Sequence, residues 1–424
     1  MSDVYGALLA DVTIPKVVRI RQAFERPVIK DVNAELEKQL YNSKVLESLK
    51  PGMNVAIAVG SRGIANLSQI VAKTVHILKD IKTKPFIVPA MGSHGGATGE
   101  GQVAVLAGFG ITESTMGASI RSSMDVVTLA TTESGLPVYF DAHAAQADAT
   151  IIIAKIKPHP GFHGKYESGL AKMGVIGLGK QVGAELCHSA GMDLMADRIE
   201  EIGTTLFAHS NIRFAIGLLE NAYDETARIV TIPSNEIMEK EPGLLEQARS
   251  MMPAIPFKSI DVLVVDEMGK DISGPGMDCN VIRRYTAEHI KADPLTQRIV
   301  IRDLTAASAG NATGMGNGDV ITRRFFDKIK LEKTYPNQLT SRVVVSGKIP
   351  IIMENDDLAI RAAIKTIIGR PFSEVRMVRI KNTLHVEELE VSENLISEVS
   401  SNPTIQIISE SYALPFDESG NIIE

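Results

Sequence analysis

A short apolar run that stops at glycines and then gives way to helical spacing occurs twice in succession in this chain. That rhythm limits the fold more than any other feature. Residues 54–59 (Asn-Val-Ala-Ile-Ala-Val) read as a buried strand, Gly60-Ser61-Arg62-Gly63 as a loop, and 66–80 as a helix. Residues 85–90 read as a second strand, Met91 to Thr98 as a loop of small residues, and 98–108 as a second helix. Two such units imply a parallel sheet, whose ligands collect beyond the carboxyl ends of the strands, where both loops fall. A third strand at 149–155 leads into Ile156 to Gly164, whose prolines and glycines forbid regular structure. A strand at 213–219 and a helix at 236–252, interrupted near Pro242-Gly243, follow.

Residues 253–256 (Pro-Ala-Ile-Pro) read as a linker, after which the rhythm restarts with strands at 260–265 and 298–302. A helix at 356–369 and strands at 376–380 and 404–408 close the chain. The fold class expected is α/β: two α/β domains with mainly parallel sheets and an active site in the cleft between them. The domains expected are 1–254, binding a cofactor, and 255–424, with the last residues packing back on the first. A length of 424 residues agrees with more than one core.

The net charge of −7, with no basic block, argues against nucleic acid as a partner. No segment reads as a membrane span or an export signal, and two cysteines, Cys187 and Cys279, cannot form a disulfide framework. A cytoplasmic protein acting on a small molecule is the expectation.

Gly174 to Lys180 fits the phosphate-loop spacing G-x-x-x-x-G-K, and Val262 to Glu267 resembles the acidic strand that holds magnesium in nucleotide hydrolases. The context fails: Gln181 stands where Ser or Thr should bind Mg²⁺, and the preceding residues 166–173 are polar and glycine-broken. A glycine-rich turn feeding a helix accounts for the stretch better.

Four of nine histidines, His94, His159, His163 and His188, fall in or just after the glycine-rich loops. Imidazole titrates near neutrality, so it can take a proton from a substrate hydroxyl and return it. Two histidines on opposite faces of one carbon suit a racemase or epimerase. The trio His159, His163 and His188 also admits a metal site, although Pro160 and Gly161 oppose the helix that an i, i+4 pair needs.

The segments Val59 to Asn66, Met91 to Gly96, Lys157 to Gly164 and Gly169 to Met173, with His188 downstream, resemble the lactate racemase family, most closely over residues 54–190. The resemblance implies a 2-hydroxy-acid isomerase that uses a nickel-pincer nucleotide, a pyridinium-3,5-bisthiocarboxylate mononucleotide carrying nickel. By it, Lys172 is the covalent tether and His188 the nickel ligand. His94 and either His159 or His163, with His159 favoured, are the acid/base pair. Arg62 meets the cofactor phosphate or the substrate, and Lys270 grips the substrate carboxylate. Ser61, Ser93, Gly95 and Gly96 fit a phosphate tail, since glycine-rich loops bring backbone N–H groups and hydroxyls to phosphate. Two departures stand out. Val59 occupies the place of the family's aspartate three positions before Arg62, and Gly274 to Asn280 has no counterpart in the lactate enzymes. Polar Asp271, Ser273, Asp278 and Asn280 there point to a longer or hydroxylated acid. An oxidoreductase on a 2-hydroxy acid and a non-catalytic protein that binds an acidic ligand are the alternatives.

Overall fold

The computed structural model describes residues 2–61, 63–286, 290 and 296–423, with the side chains of residues 2 and 3 left aside. The chain divides into two compact units, Glu25–Met252 and a second made of Met1–Phe24 with Pro253–Glu424. Strands are numbered along the chain. The first, β1 (Val17–Gln22), belongs to the second unit.

In Glu25–Met252 the strands are β2 (Asn54–Val59), β3 (Lys84–Pro89), β4 (Val126–Thr131), β5 (Pro137–Asp141), β6 (Ala149–Lys155), β7 (Ile212–Glu220) and β8 (Thr226–Pro233). Among the described residues five of them form a sheet in the order β3-β2-β6-β7-β8, parallel except for the last pair. β4 and β5 make a separate antiparallel hairpin. The apolar runs 54–59 and 149–155 are continuous because each strand is covered on both faces, as parallel strands usually are. Alternation then separates the two layers. Val55, Ile57, Val59, Ile151 and Ile153 face a core shared with helix Leu67–Asp80. Ala56, Ala58, Ile152 and Ala154 face the other, shared with helices Met195–His209 and Ile237–Ser250 and the segment 170–178.

The helix at 237–250 runs unbroken through Pro242, contrary to the interruption expected. Proline leaves the carbonyl four residues back without its helical donor. Here that carbonyl, of Met238, accepts a hydrogen bond from the hydroxyl of Tyr166, so the helix continues with the group satisfied.

The second unit holds β9 (Ile260–Met268), β10 (Thr296–Leu304), β11 (Val320–Thr322), β12 (Ile351–Met353), β13 (Met377–Ile380), β14 (Glu388–Ser392) and β15 (Ile405–Ile407). With β1 they form, among the described residues, an eight-stranded sheet in the order β12-β11-β10-β9-β13-β14-β1-β15. The first five strands are parallel and the remaining pairings antiparallel. Residues 1–24, expected with 25–254, therefore fold with 253–424. The cause is strand pairing: Arg21 stands opposite Glu388, and Ile20 opposite Ile407. The helix expected at 356–369 stops at Lys365.

The α/β class with two mostly parallel sheets holds. Both cysteines are free and buried. Among the described residues no helix is long and apolar enough to cross a membrane.

Candidate functional site

β2 and β3 are hydrogen-bonded neighbours, so the loops beyond their carboxyl ends lie side by side. They bring Ser61 and His94 together, with Ser61 Oγ 2.5 Å from His94 Nδ1. The His94 loop turns through left-handed backbone at Gly92, Gly95 and Gly96, and a side chain on Gly95 would begin 2.6 Å from the backbone of Gly101. Only glycine fits there. Ser93 is half-buried beside His94.

A buried polar cluster holds this loop from beneath. Gln102 Nε2 donates to the carbonyls of Gly92 (2.9 Å) and His94 (3.3 Å). Gln102 Oε1 accepts from Lys180 Nζ (3.2 Å), which also donates to Pro89 O (2.5 Å) and lies 2.9 Å from Asp141 Oδ2. Gln102, Lys180 and Asp141 are all fully buried. Burial pulls the Lys180 ammonium below the ordinary lysine range, with Asp141 acting against it. This lysine is the one that completes the phosphate-loop spacing. Its ammonium is spent inside the protein, and residues 173–177 form a π-helical turn in place of a loop, so no nucleotide phosphate is cradled there.

The loop after β6 carries His159 and His163, and its shape comes from the buried carboxylate of Glu167. Glu167 Oε2 accepts the N–H of His159 (2.6 Å), while Oε1 accepts that of Gly164 (3.2 Å) and pairs with Arg249 (2.8 Å). The Gly161 N–H donates to His159 Nδ1 (3.0 Å), and the His159 ring stacks on Phe162 at 4.2 Å between centroids. Lys172 Nζ lies 5.4 Å from the centroid of the same Phe162 ring, within cation–π range. His159 and Lys172 thus meet on one aromatic side chain. His163 is half-buried on the residue after it.

Lys172 and His188 belong to one helical stretch with a break in it. Leu170–Lys172 is α-helical, Met173–Gly177 is the π turn, and Lys180–Ser189 is α-helical again. In an unbroken helix sixteen residues would separate the two by about 24 Å. The break is Lys180, which takes a left-handed φ of 54°, so the second segment does not continue the axis of the first. Cys187 is thereby close enough to Lys172 to feel its charge. Burial pushes its thiol up to about 12, while Arg198 and Lys172 pull it down. The Gly92 N–H also donates to Gly177 O (3.2 Å), which joins the π turn to the His94 loop. π turns recur at functional sites.

These residues fit the tethered group the resemblance implies. The charge of Lys172 reaches Cys187, the neighbour of His188, and the π turn between them is hydrogen-bonded to the glycine-rich loop of His94. A metal site made by protein alone does not form, because among the described residues no three of His, Cys, Asp and Glu gather around one point. That removes the metal trio of His159, His163 and His188.

Arg62 lies outside the described residues. Lys270 sits in the second unit after β9, where its Nζ donates to Gly274 O (2.6 Å) and its N–H to Ser308 Oγ (2.8 Å). Asp271 accepts from Thr305 and Ser308, and Asp278 caps the short helix Cys279–Ile282 by accepting from the N–H and side chain of Asn280. Asp271, Asp278 and Asn280 thus serve the loop itself, which weakens the sequence argument for a hydroxylated substrate. Sequence reasoning missed Glu167, Glu241, Gln102 and Asp141. Their charged or helical partners lie far along the chain, Arg249 for Glu167, Ala171 for Glu241 and Lys180 for both Gln102 and Asp141, so their burial leaves no local trace.

Residues 5–194 match the family described as the lactate racemase N-terminal domain. Among solved structures, the lactate racemase apoprotein from Thermoanaerobacterium thermosaccharolyticum is similar at 13% identity, covering 80% of this chain and 87% of that one with a TM-score of 0.48. No curated protein matches.

Proposed function

We propose, from the lactate racemase N-terminal domain carried by residues 5–194, that this protein inverts C2 of a 2-hydroxy acid. Lys172 would tether a nickel-pincer nucleotide and His188 would complete its metal, and the group would supply hydride-transfer chemistry at C2. The chain's own residues handle protons and orientation. His94 takes the hydroxyl proton from one face. Ser61 can donate to or accept from His94 Nδ1, so the ring keeps its place whether neutral or charged. A histidine of the 157–164 loop, His159 first and His163 second, starts protonated and gives its own proton to the 2-oxo oxygen as C2 is re-formed with the opposite hand, so the two histidines exchange protonation states in each turnover. Glu167 fixes this loop through two backbone N–H groups. Ser93, Gly95 and Gly96 meet the nucleotide phosphate in this reading.

The observation that carries the proposal is the convergence of His159 and Lys172 on the ring of Phe162, in the unit that also pairs Ser61 with His94. Protein produced with the cofactor-making enzymes should show a mass adduct at Lys172, contain nickel, and exchange chirality at C2 of its substrate. Lys172→Ala should fold, lose the adduct and lose the exchange. Retention of both adduct and exchange in that variant refutes the assignment.

A further inference from the structure

Lys172 is the third residue of a helix that begins without a cap of its own. The N-cap position is Gly169, which has no side chain, and a helix start leaves backbone N–H groups without helical partners. A different helix supplies the missing acceptor. Glu241, on Ile237–Ser250, is 1% exposed, and its Oε2 accepts the Ala171 N–H at 2.8 Å. The Leu170 N–H also stabilises the charged carboxylate. The approach is so close that a Cβ built on Gly169 would lie 1.9 Å from Glu241 Oε1. A glycine where a capping residue is usual, and a buried carboxylate in the space it leaves, form one device.

We propose that Glu241 is a positioning residue for Lys172: by capping the 170–172 turn from outside, it sets the direction in which the lysine side chain leaves the helix toward Phe162. The proposal rests on Lys172 as the tether and extends that reading to how the amine is presented. The same helix reaches the other histidine loop, since Arg249, two turns on from Glu241, pairs with Glu167. Ile237–Ser250 therefore braces both partners of Phe162, His159 through Glu167 and Lys172 through Glu241. A carboxylate can accept two backbone N–H groups, whereas a glutamine offers one acceptor oxygen and sets an NH₂ against the second donor.

The test uses the full chain in two preparations. In cofactor-free protein, an amine-reactive reagent is counted at Lys172 and at exposed Lys82 by peptide mass spectrometry, and the ratio is taken. Glu241→Gln should raise the Lys172/Lys82 ratio about threefold or more while the variant stays folded, because a loosened turn frees the amine. Gly169→Ala, which displaces the carboxylate without removing it, should do the same. Exposed Lys82 normalises for reagent, and half-buried Lys73 in the same unit is counted beside it: a general loss of stability would raise Lys73 with Lys172, whereas a loosened turn raises Lys172 alone. In protein made with the cofactor enzymes, Glu241→Gln should lower the adduct yield at Lys172 about fivefold or more. Folded variants with unchanged ratio and adduct yield would overturn the proposal. Should neither variant fold, amide exchange in the wild type decides: an Ala171 N–H that exchanges as fast as that of Gly96 overturns it, and strong protection supports it. Absence of any adduct in the wild type would instead strike the tether assignment, and the labelling ratio would still judge Glu241.

Discussion

A carboxyl group taken out of water favours its neutral form, and burial pushes Glu241 up to about 7 from an ordinary 4.5, against the pull of the Ala171 and Leu170 N–H groups. The direction fixes the pH dependence. Below 4.5 the group is neutral in folded and unfolded chains alike and costs nothing. Between 4.5 and 7 the unfolded chain ionises first, so stability falls as pH rises, by about 3 kcal/mol in all, and then levels off. Glutamine does not titrate. Relative to wild type, Glu241→Gln should therefore gain about 3 kcal/mol between about pH 4 and pH 8, offset at every pH by about 1–3 kcal/mol for the lost acceptor. Denaturant unfolding at the two pH values measures this, and a difference that does not change with pH counts against an ionising Glu241. None of it was legible beforehand. Glu241 precedes a Pro-Gly pair that reads as a break, and its partner Ala171 lies 70 positions away. The expectations for Lys172, His94 and His188 rest instead on a family resemblance whose glycine and histidine motifs are local in the sequence.

At the scale of elements, the strands read well where the physics is local. Continuous apolar runs such as 54–59 and 149–155 leave no polar face, and only a strand covered on both sides accommodates them. Helix Ile237–Ser250 was misjudged because proline's usual penalty is relieved from outside, by the Tyr166 hydroxyl on Met238 O. That pairing makes a reciprocal prediction. Tyr166→Phe leaves a buried carbonyl without a donor and should destabilise Glu25–Met252 by about 1–3 kcal/mol. In a Pro242→Ala background the new N–H of residue 242 reaches the same carbonyl, so the cost of Tyr166→Phe should shrink to under about 1 kcal/mol. Unfolding free energies of the four proteins test this, and an undiminished cost would show that Tyr166 acts by packing alone. The π turn was equally hidden, since Gly174 to Lys180 reads as a glycine-rich turn on composition, whereas the segment packs Val175 and Leu178 into the core and joins the His94 loop through Gly177 O.

At the scale of the whole molecule, β1 lies inside a sheet whose other strands all come from beyond residue 259. The α/β class and the linker at 253–256 were legible from the restarting rhythm. The home of residues 1–24 was not, because an antiparallel partner hundreds of residues away leaves no periodic trace in a single strand. Deleting residues 1–24 should leave amide protection within Glu25–Met252 nearly unchanged and raise exchange across β14 and β15, which β1 joins. Equal loss in both units would contradict the division described above.

The separation of these partners also orders events during synthesis. The Arg19 N–H meets Ser409 at a sequence distance of 390, so β1 leaves the ribosome long before anything it can pair with. The middle of the chain, Glu25–Met252, has all its sheet partners within itself and can close while translation continues. An unpaired edge of Val17 to Gln22 meanwhile stays open to pairing with other chains, a hazard that ends only when the final strand arrives.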